Sequence, residues 1–171
     1  AQFGHGGDSV FGDQTGNINI EVANDLTFTG GSGFDAYAQL GHGGAGVDGD
    51  QTGDINIWRA NNLVFDGGTG ENAYAQLGHG GTALFSEGDG EGEVQFNGFG
   101  LSLANQTGNI TIKQANDIFF GGGDGFASYS QLGHGGFDTI GDQTGNISVR
   151  LIGSDLFLTG GAGQNAYAQL G

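Results

Sequence analysis

Apolar and polar residues alternate with period two in short runs along the whole chain. Ile18, Ile20 and Val22 fall on one side of an extended segment, and Asn17, Asn19 and Glu21 on the other. The same alternation returns at Ile55 and Ile57, at Ile110 and Ile112, and at Ile147, Val149 and Leu151. A turn at Ala23-Asn24-Asp25 leads into a second run with Leu26 and Phe28 inward, which stops at Gly30-Gly31. A third run, from Ala36 to Leu40, ends at Gly41-His42-Gly43-Gly44. Short strands separated by Gly and Asn corners predict an all-β chain, because those two residues tolerate the positive φ that redirects a backbone.

The runs repeat. Gln-x-Gly-His-Gly-Gly begins at Gln2, Gln39, Gln76 and Gln131, with a truncated copy at Gln169, in steps of 37, 37, 55 and 38 residues. Gln-Thr-Gly-Asn/Asp-Ile begins at Gln14, Gln51, Gln106 and Gln143, in the same register. A third marker sits at Asp25-Leu26, Asn62-Leu63, Asp117-Ile118 and Asp155-Leu156. Such self-similarity is the signature of a solenoid, in which each unit buries its apolar face only against its neighbours. The long step exceeds the usual one by 18 residues, close to half a repeat. That match predicts two coils of 18–19 residues per 37-residue unit, with one extra coil near 82–103. The expectation is a single parallel β-helix over 1–171, with units at about 2–38, 39–75, 76–130 and 131–168. It would have about nine coils and a height of roughly 43 Å at about 4.8 Å per coil. Its crossovers would be right-handed by the general preference of parallel strands. Ladders of like residues are expected along the axis, with Asn24, Asn61 and Asn116 bonding at one corner.

The run Ala-Tyr-Ala-Gln-Leu-Gly-His-Gly-Gly (36–44 and 73–81), alternating with Gly-Asn-Ile-Asn-Ile (16–20), resembles repeats of the filamentous-haemagglutinin family. The resemblance covers the chain except about 82–103. It implies a right-handed parallel β-helix from a large bacterial exoprotein, exported by two-partner secretion and acting at the cell surface in adhesion, biofilm or contact-dependent toxicity. Neither the secretion domain nor a toxin-like domain of that family is among these residues, so the resemblance extends to the repeats alone.

Composition narrows the partners. Glycine supplies 40 of 171 residues, against a usual level of about 7%, which excludes an ordinary helical protein. With 19 acidic residues against 3 basic ones the formal charge is −16, which repels phosphate backbones and anionic lipid. Nucleic acid is therefore not an expected partner. No apolar stretch reaches the ~18 residues of a membrane helix, so insertion by that route is not expected. The absence of Cys removes disulfides and thiolate metal sites. The chain begins inside a motif, and is expected to be a processed product or an excerpt of something longer.

Four places merit a chemical reading. His5, His42, His79 and His134 recur at one repeat position; with two coils per unit they would lie about 10 Å apart, too far to share a zinc ion held at about 2.1 Å. They are expected to be corner residues bonded to a neighbouring coil. Residues 30–38 fit the calcium-binding nonapeptide Gly-Gly-x-Gly-x-Asp, but its Asp35 becomes Asn72, Ala127 and Asn165 in the other copies. The remaining calcium candidate is the acidic run Glu87, Asp89, Glu91 and Glu93, against the alternative of a solvated loop. Tyr37, Tyr74, Tyr129 and Tyr167 share a face with the adjacent Gln residues; outward, they would form a stripe for glycan or a sister rod, and inward they would pack a corner. Asp13, Asp50 and Asp142 obey the repeat, and Arg59, Lys113 and Arg150 lie apart from them in sequence, so no catalytic pair and no enzyme is expected. The leading expectation is a secreted structural or adhesive rod whose partners are host or biofilm glycans or surface proteins. Its rival is a filament subunit that associates with itself, head to tail or laterally.

Overall fold

The computed structural model describes residues 1–47, 49–82, 104–137, 139, 141–153 and 155–171. Within them the chain is a β-solenoid built of strands alone, each paired in parallel with its counterpart in the next turn. Gln39 pairs with Gln2 and with Gln76, Ile55 with Ile18 and Ile110, and Phe65 with Phe28 and Phe120. These pairs are one full repeat apart, so one turn comprises 37 residues and the stack holds about four turns, not nine.

The correction has a simple physical origin. The two apolar runs of a repeat are not successive coils stacked on one another; they lie in different sheets of the same turn. Each turn visits five sheets, represented in the second turn by Ala38–Leu40, Gly43–Ala45, Gln51–Thr52, Ile55–Ile57 and Asn62–Asp66. The sheet begun by Gln2–Phe3 holds five strands, ending with Ala168–Leu170, and so spans about 19 Å at about 4.8 Å per rung. The long step leaves the pairing of the described turns intact: Gln106 pairs directly with Gln51, and Gly80 meets Gly135, so the strands on either side of it stay in register. The expected coil near 82–103, with Glu87, Asp89, Glu91 and Glu93, lies outside the described residues.

Thirty-seven residues per turn enclose two buried layers rather than one. The apolar core gathers Ile55, Ile57, Leu63, Phe65 and Leu77 with their counterparts above and below. Phe28, Phe65 and Phe120 stack within it, with ring centroids 5.0 Å apart at each step. The Ala-Gln-Leu sheet is the wall of this core: Ala75 and Leu77 join it, while Gln76 between them, facing the opposite way, is equally buried. A second, polar layer therefore lies behind the wall. Burial is complete only in the middle turns, as the nearest-neighbour logic of a solenoid requires; Ile55 and Ile110 are buried, and Ile147 of the last full turn is half-buried.

Glycine permits the tight corner beyond the wall. Gly41 has φ +154, and a Cβ on it would stand 1.8 Å from the carbonyl oxygen of Gly78 in the next turn. The corner at Asp35, Asn72, Ala127 and Asn165 is left-handed, with φ between 51 and 59. This conformation explains why the calcium-like nonapeptide keeps Asp or Asn in three of four copies: those residues tolerate αL, so the pattern reflects backbone geometry.

Candidate functional site

The polar layer behind the wall is made of three ladders. The rings of His5, His42, His79 and His134 are stacked with centroids 5.0, 4.8 and 5.0 Å apart, half the separation expected from the sequence, because equivalent residues are one turn apart. The ring nitrogens of His42, His79 and His134 are committed. The backbone N–H of His5 donates to Nδ1 of His42 at 2.9 Å, that of His42 to His79 at 2.9 Å, and that of His79 to His134 at 3.1 Å. An accepting Nδ1 carries no proton, so the neutral ring holds its proton on Nε2. There it donates to a carbonyl: His42 to Gly16 at 2.7 Å, His79 to Gly53 at 2.7 Å and His134 to Gly108 at 2.8 Å. Each imidazole thus ties the corner after the wall to the corner before the Ile-x-Ile strand.

Burial holds the rings of His42, His79 and His134 neutral. Desolvation lowers the pKa of His42 and His134, and pushes that of His79 down to about 4 against the opposing pull of its bond to Gly53. Neither nitrogen of His42, His79 or His134 is free for a metal. Among the described residues, no three His, Asp or Glu side chains gather as ligands for one.

Glutamine forms the second ladder. Nε2 of Gln39 lies 3.1 Å from the carbonyl of His42, 3.1 Å from that of Gly78 and 3.0 Å from that of Gly80. Gln76 repeats this at His79, Gly133 and Gly135. The side-chain amide occupies the carbonyl-lined bend of the Gly-His-Gly corner, so a buried polar side chain satisfies backbone groups that the turn leaves over.

Tyrosine forms the third. Successive rings of Tyr37, Tyr74, Tyr129 and Tyr167 stack at 4.9, 4.9 and 5.0 Å, and Tyr74 and Tyr129 are fully buried. The face shared by Tyr and Gln therefore points inward, and the middle of the ladder offers no outward stripe. Their hydroxyls come against the second glycine of His-Gly-Gly. A Cβ on Gly44, Gly81 or Gly136 would lie 2.6, 2.5 or 2.4 Å from the nearest tyrosine oxygen. Desolvation raises the Tyr37 phenol to about 12 and lifts those of Tyr74 and Tyr129 well above the usual phenol value. The sequence clue to this inward face was the glycine seven residues after Tyr37, Tyr74 and Tyr129: only glycine leaves room for the phenol.

Asn and Asp ladders run along the outside. Asn116 donates to Asn61 at 2.9 Å, whereas Asn61 donates to Asp25 at 2.9 Å, so the Asn24 corner is joined through the neighbouring acid. Asp13, Asp50, Asn105 and Asp142 form another: the side-chain oxygens of Asp13, Asp50 and Asn105 accept the backbone N–H of the next member, at 3.1, 2.8 and 3.0 Å. Asp13 and Asp50 are engaged as backbone acceptors along the stack.

One outer column departs from the repeat: Glu21, Trp58, Lys113 and Arg150 occupy successive turns at one position, and all are exposed. Lys113 places Nζ 3.2 Å from the centroid of the Trp58 ring, and Arg59 follows Trp58 in the chain. The chain's three cations thus belong to one column and its immediate neighbour.

No family model, curated protein or solved structure matches the chain. The class of the protein rests on its own geometry, a β-solenoid with a double-layered interior.

Proposed function

We propose that the chain is a stretch of a structural, adhesive β-solenoid displayed outside a bacterial cell, in the manner of the filamentous-haemagglutinin repeats it resembles. The observation that carries this reading is the commitment of the interior. His, Gln and Tyr, the side chains best suited to chemistry, are spent on holding one turn to the next. What remains for function is height and an outer surface: a stack that adds about 4.8 Å per turn and presents chosen columns along its length. The reading assigns no reaction and no cofactor to the chain. Its acidity supports solubility of a long stack, since like-charged surfaces repel. Antibodies raised against the folded segment test the reading on intact and permeabilised source cells. Labelling of intact cells, with loss of surface attachment when the segment is deleted, is the expected result. Labelling confined to permeabilised cells would remove the extracellular role.

A further inference from the structure

We propose that Trp58, Arg59, Lys113 and Arg150 form a binding stripe for a carboxylate-bearing polysaccharide lying along the axis of the stack. The proposal deepens the adhesive reading and rests on it. The chain has 19 carboxylate side chains, yet no carboxylate among the described residues lies within 4.0 Å of any of the three cations. Instead Lys113 and Gln114 stand opposite Arg150, in a register that shifts between Ile112 and Ala115. Like charges on facing positions of adjacent strands are destabilising, so this placement breaks a rule that the acid-rich surface could have satisfied at once. A bulge next to it is the device that re-aims side chains at a strand edge. Beside the cations, Trp58 is 50% exposed although Lys113 covers part of it.

The occupant follows from charge spacing. A second copy of the chain carries its own −16, and exposed ion pairs are worth up to about 1 kcal/mol each, so three cations cannot offset that repulsion. Duplex nucleic acid carries one charge per about 1.7 Å, far denser than rungs about 4.8 Å apart, and would set most of its phosphates against carboxylates. An extended chain of uronic acids has one carboxylate per sugar and advances by a distance of the order of a rung. Its carboxylates meet Lys113 and Arg150 in succession, with Arg59 beside them, while a sugar face covers the exposed part of the indole.

Trp58 is the chain's single tryptophan, so its fluorescence reports the site directly. The probes are a mannuronate hexamer, a neutral glucose hexamer and hexaglutamate, titrated at low salt and at 0.15 M. The expected result is a saturable change with the mannuronate hexamer alone, weaker at higher salt, and at least tenfold weaker in Arg150→Gln. Arg150 is exposed, and the urea midpoint of the variant checks its fold. No saturable change, an equal response to the neutral hexamer or to hexaglutamate, or unchanged affinity in a folded Arg150→Gln each overturns the proposal. Such a failure with intact cells still labelled removes this site and leaves the adhesive stack standing.

Discussion

The backbone N–H of His42 donates to Nδ1 of His79 at 2.9 Å, and the two rings lie parallel with centroids 4.8 Å apart. One side chain is therefore both a rung of a stacked ladder and the acceptor for the main chain of the turn before it. A proton added at Nδ1 would confront that N–H donor with another and place a cation between His42 and His134, with Asp54 exerting an opposing pull. The neutral ring is a condition of the fold.

Acid should therefore loosen the stack through this ladder. A ring whose pKa is lower in the folded chain than in the unfolded one takes up protons on unfolding, so its contribution is full above the unfolded value of 6.5 and is lost as the pH falls towards about 4. For His79 the loss is about 3 kcal/mol at about 1.4 kcal/mol per pKa unit. Asp35 and Asp66 act with the opposite sign, because desolvation raises their pKa and protonation relieves them. Carbon and proton shifts of the histidine rings separate the two effects. His79 should still be neutral, with its proton on Nε2, at pH 5 in the folded chain; a folded chain with His79 charged at pH 6 would refute the argument.

Replacing the corner glycine should be severe. Gly41→Ala puts a methyl 1.8 Å from the Gly78 oxygen at φ +154, so the wall must separate from its neighbour. A loss of about 3 kcal/mol or more is expected, in the range reserved for backbone strain and core clashes. Gly12→Ala, with nothing within 4 Å of the added carbon, isolates the conformational part and should cost less. Urea unfolding of the two variants makes the comparison.

Position in the stack should grade the cost of core truncation. Leu77→Ala removes a fully buried side chain of a middle turn and should cost about 2–5 kcal/mol. Leu170 occupies the same column in the last turn but is 48% exposed, so Leu170→Ala should cost less than half as much. Equal losses would contradict nearest-neighbour burial.

The 18 surplus residues between Thr82 and Ala104 should be dispensable for folding. The turn that contains them already pairs in register with both neighbours, through Gln51–Gln106 and Gly80–Gly135. A chain shortened there by 18 residues would restore the 37-residue step and should unfold at a urea midpoint equal to or above that of the full chain. A collapse of cooperativity would mean that the segment supports the stack.

Period-two alternation at Ile18-Asn19-Ile20 and the glycine corners disclosed strands, parallel stacking and the axial ladders. The number of turns was not legible, because the offset at which strands pair leaves no mark on composition. An 18-residue surplus fits one small coil as well as an excursion within one large turn. The inward face of Tyr74 and Gln76 was hidden for a related reason: alternation separates two faces but does not say that both are covered. Only the second layer, closed by Gly80 and Gly81, buries polar and apolar sides alike. The Trp58, Lys113 and Arg150 column was present in the repeat alignment, but a sequence reading that weighs each cation against acids along the chain does not bring the three together.

The step from Asp117 to Asp155 is one residue longer than the common repeat, yet Ile118 still faces Leu156 and Ser130 faces Ala168. The register shifts once, between Ile112 and Ala115, and is restored by the next strand. For a gene built of such repeats, this makes the whole turn the natural coin of recombination. An unequal exchange between copies inserts or removes complete storeys without disturbing those around them, so the reach of the protein can be reset in single genetic events of about 4.8 Å each.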